Sequence, residues 1–179
     1  MIKNNLLDIE YLVSKIKPKQ GSKIADLGCG AFGYFTFLLA KIVGKSGKVY
    51  AVDIIKDSLE SIKKGAKIDN LTQVETVWSD LEVFGGAKIA PSSLDSALLV
   101  NVLHQSEKKI NVLKEAMRIL KPGGKLLLVE WNEKDSPFIL SPSYKISRQE
   151  IKKLTSFLGI KIEEEFDAGN YHYGFLLSK

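Results

Sequence analysis

The sequence predicts an α/β domain built around a parallel β-sheet, and three features support this. Short apolar runs alternate with segments of helical period from residue 21 to residue 130, which is the pattern of parallel strands joined by right-handed crossovers. A glycine-rich turn separates the first apolar run from the first of these helices. The end of the chain instead holds two strand-like runs around Asp167-Ala168-Gly169-Asn170, which predict an antiparallel hairpin.

The composition fits one globular domain over residues 1–179, with 45% apolar and 26% charged residues. A single cysteine excludes an intrachain disulfide, and two histidines give no zinc-ligand spacing, so we expect no metal site. No apolar run approaches the roughly 18 residues of a membrane span, and residues 1–5 open no secretory signal. We therefore expect a cytoplasmic protein without a membrane segment.

The elements follow in order. Apolar residues at helical spacing predict a helix over residues 6–16 that ends before Pro18, and we expect the first 18 residues to pack on the domain. Strands are predicted over residues 21–27, 48–53, 74–78, 96–101 and 125–130, and the hairpin over 160–166 and 171–177. Helices are predicted over residues 34–43, 57–66, 108–120 and 147–158, and loops over 85–93 and 131–144.

Several single residues refine these elements. Gly44 is expected to close the helix over residues 34–43. Asp57 with Glu60, and Ser147 with Glu150, have the spacing of capping boxes. Trp78, in the third strand, is predicted to belong to the core. The turn over residues 121–124, Lys-Pro-Gly-Gly, leads into the fifth strand.

The glycine turn has the spacing of a nucleotide site. Gly28, Gly30 and Gly33 follow a strand, and Asp53 lies 20 residues beyond the last of them, as in the dinucleotide fingerprint. Asp26, however, places a carboxylate where a pyrophosphate would be repelled, and the terminal hairpin replaces the second βαβαβ half of the dinucleotide fold. The residues therefore favour a cationic nucleoside over NAD, and an NAD oxidoreductase is the disfavoured alternative.

Four motifs in order resemble the class I S-adenosylmethionine-dependent methyltransferases. They are Ile-Ala-Asp-Leu-Gly-Cys-Gly at 24–30, Val-Tyr-Ala-Val-Asp at 49–53, Ser-Asp-Leu at 79–81 and Leu-Lys-Pro-Gly-Gly-Lys-Leu at 120–126. The sequence is most similar to the small-molecule group that includes the ubiquinone and menaquinone biosynthesis methyltransferases. The resemblance implies a Rossmann-like three-layer sandwich with a seven-stranded, mostly parallel sheet whose last strand is antiparallel.

The resemblance also implies S-adenosylmethionine (SAM) as the cofactor and a role for each matching residue. Asp26 would lie near the SAM ammonium, in contact with it directly or through water. Asp53 would hold the ribose hydroxyls, and Asp80 would accept from the adenine amino group. The full set of implied cofactor residues is Asp26, Gly28, Cys29, Gly30, Asp53, Ile54, Asp80, Leu81 and Asn101, the last through its backbone carbonyl.

Other interpretations of these residues stay open. Asp26 and Asp53 could cap helices, and Asp80 could cap a turn. Cys29 has no activating partner nearby, so we interpret it as a structural residue that gives the turn a small side chain, and not as a nucleophile. Family members often have Gly-x-Gly-x-Gly, whereas here the third glycine is delayed to Gly33 and its role is not explained.

Methyl transfer from a sulfonium depends on alignment and, for many acceptors, on removal of a proton. His104, just after the fourth strand, is the candidate general base, and a histidine that caps the next helix is the alternative. Weaker candidates are Tyr34, Glu130, Trp131 and residues 171–173, of which the last group has the pattern of packing residues. The sequence does not specify which atom of the acceptor is methylated.

We expect a small-molecule acceptor. A net charge of +5 admits RNA as a partner, but the lysines form small clusters and only two arginines are present, so nucleic acid is disfavoured. No long lid is evident beside the cofactor, so either the acceptor is large or a partner subunit or second copy closes the pocket. A non-catalytic SAM-binding subunit and an RNA or protein methyltransferase are therefore alternatives.

Overall fold

A computed structural model describes residues 6–132 and 145–179. The strands are β1 (Lys23–Leu27), β2 (Lys48–Asp53), β3 (Val74–Trp78), β4 (Leu94–Val100), β5 (Leu120–Trp131), β6 (Lys161–Asp167) and β7 (His172–Ser178). The helices are α1 (Ile9–Lys15), α2 (Tyr34–Val43), α3 (Lys56–Ile68), α4 (Lys109–Ile119) and α5 (Arg148–Phe157), with a 3-10 helix at Leu103–Gln105.

All seven strands form one sheet in the order β3-β2-β1-β4-β5-β7-β6. The first five strands pair in parallel, and β7 is antiparallel to both β5 and β6. The sheet and its terminal hairpin therefore confirm the α/β fold expected from the sequence. Because the carboxyl ends of the parallel strands share one edge, the residues that follow β1, β2, β3 and β4 lie together there.

The two faces of the sheet pack against different helices, because side chains alternate along each strand. Ile24 packs with Leu12 of α1 and Leu39 of α2 on one face. The neighbouring Ala25 packs with Leu113 of α4 on the other face, which α5 also covers through Ile151. The three-layer sandwich is confirmed, and each fully buried leucine contributes roughly 2–3 kcal/mol.

Most helix ends behave as expected. Gly44 caps α2 with φ 63°, and the Ser147 hydroxyl accepts a hydrogen bond from the Glu150 amide at the start of α5. The Asp57 capping box is wrong: α3 begins at Lys56, and no side chain caps it. The physical reason is Asp53, whose carboxylate accepts the Ile55 N–H at 2.9 Å and turns the chain before Asp57 is reached.

Two predictions for strands need correction. The Lys-Pro-Gly-Gly turn lies inside β5 as an irregularity, since Leu120 pairs with Leu94 and Lys125 pairs with Ser96. Trp78 is not a core residue, because β3 is the edge strand and the side chain is 54% exposed. Its indole N–H donates to the Ile54 carbonyl at 2.8 Å.

The loop over residues 79–93 is held by a buried glutamate of α4. Glu115 accepts the backbone N–H groups of Gly85 and Ala87 at 2.7 and 3.0 Å, and it pairs with Arg118 at 2.8 Å. Burial opposes ionisation, but the hydrogen bonds from Arg118 and from these amides hold the pKa of Glu115 below its ordinary value. This loop is therefore anchored next to the residues that follow β3.

Within residues 6–132 and 145–179, no helix is both long and apolar enough to span a membrane. The predicted loop over residues 131–144 lies outside the described residues, apart from its first two positions.

Candidate active site

A cavity of about 590 Å³ opens at the carboxyl edge of the sheet, above β1, β2, β3 and β4. Its volume is within the range of small-molecule sites, about 300–1,000 Å³. The residues that line it come from the ends of these strands and the segments that follow them: Gly28, Gly30, Asp53, Ile54, Ile55, Ser58, Ser79, Asp80, Leu81, Glu82, Asn101, Val102, Gln105, Ser106 and Glu107.

Seven of the nine residues that the sequence suggests for the cofactor line this cavity: Gly28, Gly30, Asp53, Ile54, Asp80, Leu81 and Asn101. Asp26 and Cys29 do not line it. Asp26 lies on the face of β1 that packs on α2, where its carboxylate accepts a hydrogen bond from the Thr36 hydroxyl at 2.6 Å. Burial raises the pKa of Asp26 to about 6.

The Cys29 thiol is also unsuited to direct chemistry. Burial raises its pKa, and the nearby carboxylates of Asp26 and Asp53 raise it further. The Cys29 amide donates to the Val52 carbonyl at 3.1 Å, which ties the turn to β2. The structure therefore supports a structural role for this residue.

Gly28 and Gly30 allow the turn to pass beneath the cavity. Both have left-handed backbones, with φ of 79° and 62°. A Cβ at Gly28 would lie 2.4 Å from Val102 Cγ2, so only glycine lets the turn approach the loop after β4. A Cβ at Gly30 would contact nothing within 4 Å, which leaves its backbone open toward a ligand.

The structure explains the delayed third glycine. Gly33 is the N-cap of α2 and has φ 57°, in the left-handed region. A Cβ there would lie 2.4 Å from Ile62 Cδ1 and 3.0 Å from Phe37 Cε2. Gly33 therefore permits the close packing of α2 on α3 instead of forming part of the cavity wall.

A pair of alanine substitutions tests this assignment. Gly33→Ala and Gly30→Ala share the left-handed strain of roughly 1–2 kcal/mol, but only Gly33→Ala adds a steric clash. We expect Gly33→Ala to lower the free energy of unfolding by about 2–4 kcal/mol and Gly30→Ala by about 1–2 kcal/mol, measured by urea denaturation. Equal losses in the two variants would contradict the packing role of Gly33.

The two carboxylates after β2 and β3 each form a turn. Asp53 accepts Gly30 N–H through Oδ2 and Ile55 N–H through Oδ1, both at 2.9 Å. Asp80 accepts Glu82 N–H at 2.9 Å. The alternative that these acids cap local structure is therefore correct in part. Since each carboxylate offers about four acceptor positions, both retain capacity for a ligand in the cavity.

The charged residues that line the cavity all carry one sign. They are Asp53, Asp80, Glu82 and Glu107, and no lysine, arginine or histidine is among the lining residues described. Two lining side chains also have buried oxygens without a hydrogen-bond partner among residues 6–132 and 145–179, namely Ser79 Oγ and Asn101 Oδ1. The cavity therefore favours a cationic ligand with hydrogen-bond donors.

Eight lining residues were missed by sequence reasoning: Ile55, Ser58, Ser79, Glu82, Val102, Gln105, Ser106 and Glu107. Ser79 and Ile55 lie next to predicted residues, so their position after a strand was an available signal. Glu82 and Glu107 meet only through tertiary structure, where Glu107 N–H donates to Glu82 Oε1 at 2.7 Å.

His104 lies on the other side of the loop after β4, beside β5. Its Nδ1 is 2.8 Å from Glu130 Oε2, and Glu130 Oε1 accepts Val102 N–H and Leu103 N–H at 3.0 and 2.6 Å. Glu130 is completely buried. His104 does not cap α4, whose N-cap is Lys108. The hydrogen bond to a carboxylate leaves Nε2 as the basic nitrogen when the ring is neutral.

Several apolar side chains are exposed on the same loops as the cavity residues, and two of them, Ile54 and Ile55, line the cavity. Ile54, Ile55 and Trp78 are more than half exposed on the loops after β2 and β3, and Phe32 stacks on Tyr34 beside the glycine turn with ring centroids 5.6 Å apart. That the pocket either takes a large acceptor or is closed by a partner subunit or second copy stays a prediction.

The sequence pattern of the methyltransferase domain matches residues 18–169. The chain belongs to this methyltransferase family. It is 33% identical over 120 residues to the demethylmenaquinone methyltransferase of Lactococcus lactis, covering 65% of this chain and 45% of that protein. It is 33% identical over 110 residues to the arsenite methyltransferase of Aquipseudomonas alcaligenes, and this match covers 59% of this chain and 32% of that protein. The chain thus spans less than half the length of these two relatives.

The fold agrees with this assignment. A SAM-dependent methyltransferase from Aquifex aeolicus superimposes with a TM-score of 0.87 over 97% of this chain and 90% of that one, at 24% identity. The family membership supports SAM as the cofactor of this methyltransferase. The acidic lining, the unpartnered Ser79 and Asn101 oxygens and the open backbone at Gly30 fit a cationic nucleoside.

Proposed function

We propose that this methyltransferase holds SAM in the cavity above β1, β2, β3 and β4 and methylates a small-molecule acceptor. The observation that carries the proposal is the cavity charge: the four charged lining residues are all carboxylates. A sulfonium and an ammonium are stabilised there, whereas the pyrophosphate of NAD is repelled. The proposal takes residues 1–179 as one domain, supported by the shared core of α1, α2 and the sheet.

We assign the lining residues to two parts of the cofactor. Asp53 would accept from the ribose hydroxyls and Asp80 from the adenine amino group, with Ile54 and Leu81 beside the ring. At the other end of the cofactor, Gly28, Gly30 and Asn101 would surround the amino-acid part. Asp26 bonds to Thr36 beneath the turn and does not line the cavity, so we propose that it acts on the ammonium through water instead of by direct contact.

When bound, SAM supplies a methyl group that its positive sulfur makes electrophilic. The task of the chain is to align the acceptor and to accept its proton. His104 would take this proton at Nε2, since Nδ1 donates to Glu130. The buried Glu130 carboxylate would orient the ring and stabilise the imidazolium that results.

The acceptor is proposed to be an organic small molecule. Among the relatives, the name of one protein refers to demethylmenaquinone and that of another to arsenite. Arsenic is a soft element that binds thiolates. The single thiol of this chain, Cys29, has a raised pKa and does not line the cavity. The residues of this chain therefore favour an organic acceptor over arsenite.

Isothermal titration calorimetry tests the cofactor assignment. We expect SAM and S-adenosylhomocysteine to bind with roughly micromolar Kd values, and NAD to show no binding at millimolar concentration. Both expectations follow from the carboxylates that line the cavity. Absence of SAM binding, or binding of NAD with similar affinity, would overturn the proposed function.

A further inference from the structure

A buried histidine of β7 reaches the loop after β4. His172 is completely buried, and its Nε2 lies 3.1 Å from Nδ2 of Asn101, a residue 71 positions earlier in the chain. The Trp131 ring packs on His172 with the ring centroids 4.0 Å apart. The cofactor contacts proposed above do not include His172, and it does not line the cavity.

The hydrogen bond determines the state of both side chains. An amide NH₂ group can only donate, so Nε2 of His172 accepts, and the neutral ring carries its proton on Nδ1. Among the described residues, no group accepts a hydrogen bond from this buried Nδ1. Burial, together with the nearby His104, lowers the pKa of His172 to about 4, which keeps the ring neutral at physiological pH. Because Nδ2 is directed to His172, Oδ1 of Asn101 is the end of the amide that has no partner in the described part of the chain.

Asn101 is also fixed through its backbone. It has a left-handed φ of 56°, its N–H donates to the Val129 carbonyl at 2.8 Å, and its own carbonyl accepts from Gln105 Nε2 at 2.9 Å. The carbonyl therefore already has one donor, whereas the buried side-chain oxygen has none within the described residues. A buried unpaired acceptor in a residue that lines the cavity is suited to a ligand N–H.

We infer that His172 is a positioning residue for the amino-acid part of SAM, because it orients the Asn101 amide so that Oδ1 faces the ammonium. The inference rests on the proposed function and adds to it a residue of β7, outside the cavity wall. Its action is local to the end of the cavity formed by Gly28, Asn101 and Val102. The adenine end, with Asp80 and Leu81, should not respond to it.

Two ligands separate this role from a general structural one. SAM carries the ammonium, whereas 5′-methylthioadenosine has the same nucleoside without the amino-acid part. We expect His172→Phe to weaken SAM binding about tenfold and to change methylthioadenosine binding less than twofold, measured by calorimetry. His172→Gln should restore most of the SAM affinity, because its side-chain oxygen can accept from Asn101 Nδ2.

The matched control is Gln73→Leu, which removes another buried polar side chain that, like His172, has one polar atom without a hydrogen-bond partner among the described residues, and which does not line the cavity. It should leave the ratio of the two affinities unchanged. Equal loss for both ligands in His172→Phe, or no loss for SAM, would overturn the inference. If the wild-type protein binds neither ligand, the proposed function itself fails, and the inference fails with it.

If His172→Phe does not fold, a measurement on the wild-type protein tests the positioning role of His172. The chain has only two histidines, so a protein labelled with ¹⁵N-histidine shows only the rings of His104 and His172. We expect SAM to shift the His172 Nε2 resonance and methylthioadenosine to leave it in place. The same shift with both ligands, or no shift with either, contradicts the positioning role.

Discussion

Replacing Asp53 by alanine is expected to weaken SAM binding at least a hundredfold. The proposed contacts are two hydrogen bonds from the ribose hydroxyls to an ionised carboxylate, each worth about 1.5–3 kcal/mol. The substitution also removes the acceptor of Gly30 N–H and Ile55 N–H, so the glycine turn loses its link to β2. Calorimetric titration of the folded variant with SAM measures the effect.

Asp95→Ala is the matched control for this substitution. Asp95 is also an aspartate at the end of a strand that accepts a backbone N–H, from Lys23 at 2.8 Å, but it lies at the amino end of β4 and does not line the cavity. We expect Asp95→Ala to leave SAM affinity within twofold of wild type. If both Asp53→Ala and Asp95→Ala bind SAM with wild-type affinity, the placement of the cofactor in this cavity is wrong.

The sequence was sufficient to predict features that depend on a single strand or helix and the residues next to it. Asp53 and Asp80 were located because one ends an apolar strand and the other lies two residues beyond the next strand. The edge of the sheet then brings them to one cavity. The delayed Gly33 could not be explained from the sequence, because its requirement comes from Ile62 on a different helix. Its left-handed backbone gave no separate signal, since Gly28 and Gly30 share it.

The predictions that failed depended on neighbours in space. Trp78 has the pattern of a core residue, but its exposure follows from the position of β3 at the edge of the sheet. The role of Asp26 near the SAM ammonium stays a prediction; its bond to Thr36 of α2 could not be expected from the sequence, because it depends on how α2 packs on β1. The link between His104 and Glu130 depends on the register of β4 and β5, which apolar patterning does not determine.

Glu130→Gln is expected to reduce methyl transfer by about 10²–10⁴-fold while leaving SAM affinity unchanged. The glutamine oxygen can still accept from Val102 N–H and Leu103 N–H, so the loop after β4 keeps its shape. Its amide nitrogen, however, can only donate to His104 Nδ1. The proton of the His104 imidazole then moves to Nε2. This nitrogen, which is proposed to take the proton of the methyl acceptor, is then no longer basic.

Two measurements follow this variant, and both have a matched control. Single-turnover methyl transfer is compared with wild type on an acceptor that the wild-type enzyme methylates, and ¹⁵N-histidine spectra report the tautomer of His104 without any acceptor. Glu115→Gln replaces another fully buried glutamate that accepts two backbone N–H groups but lies outside the cavity lining, and we expect it to leave both measurements unchanged.

A tautomer that switches in Glu130→Gln without any loss of rate would show that His104 is not the base. An unchanged tautomer would instead show that the carboxylate does not control the ring. Only a switched tautomer together with a slower reaction supports the pair as the group that accepts the proton.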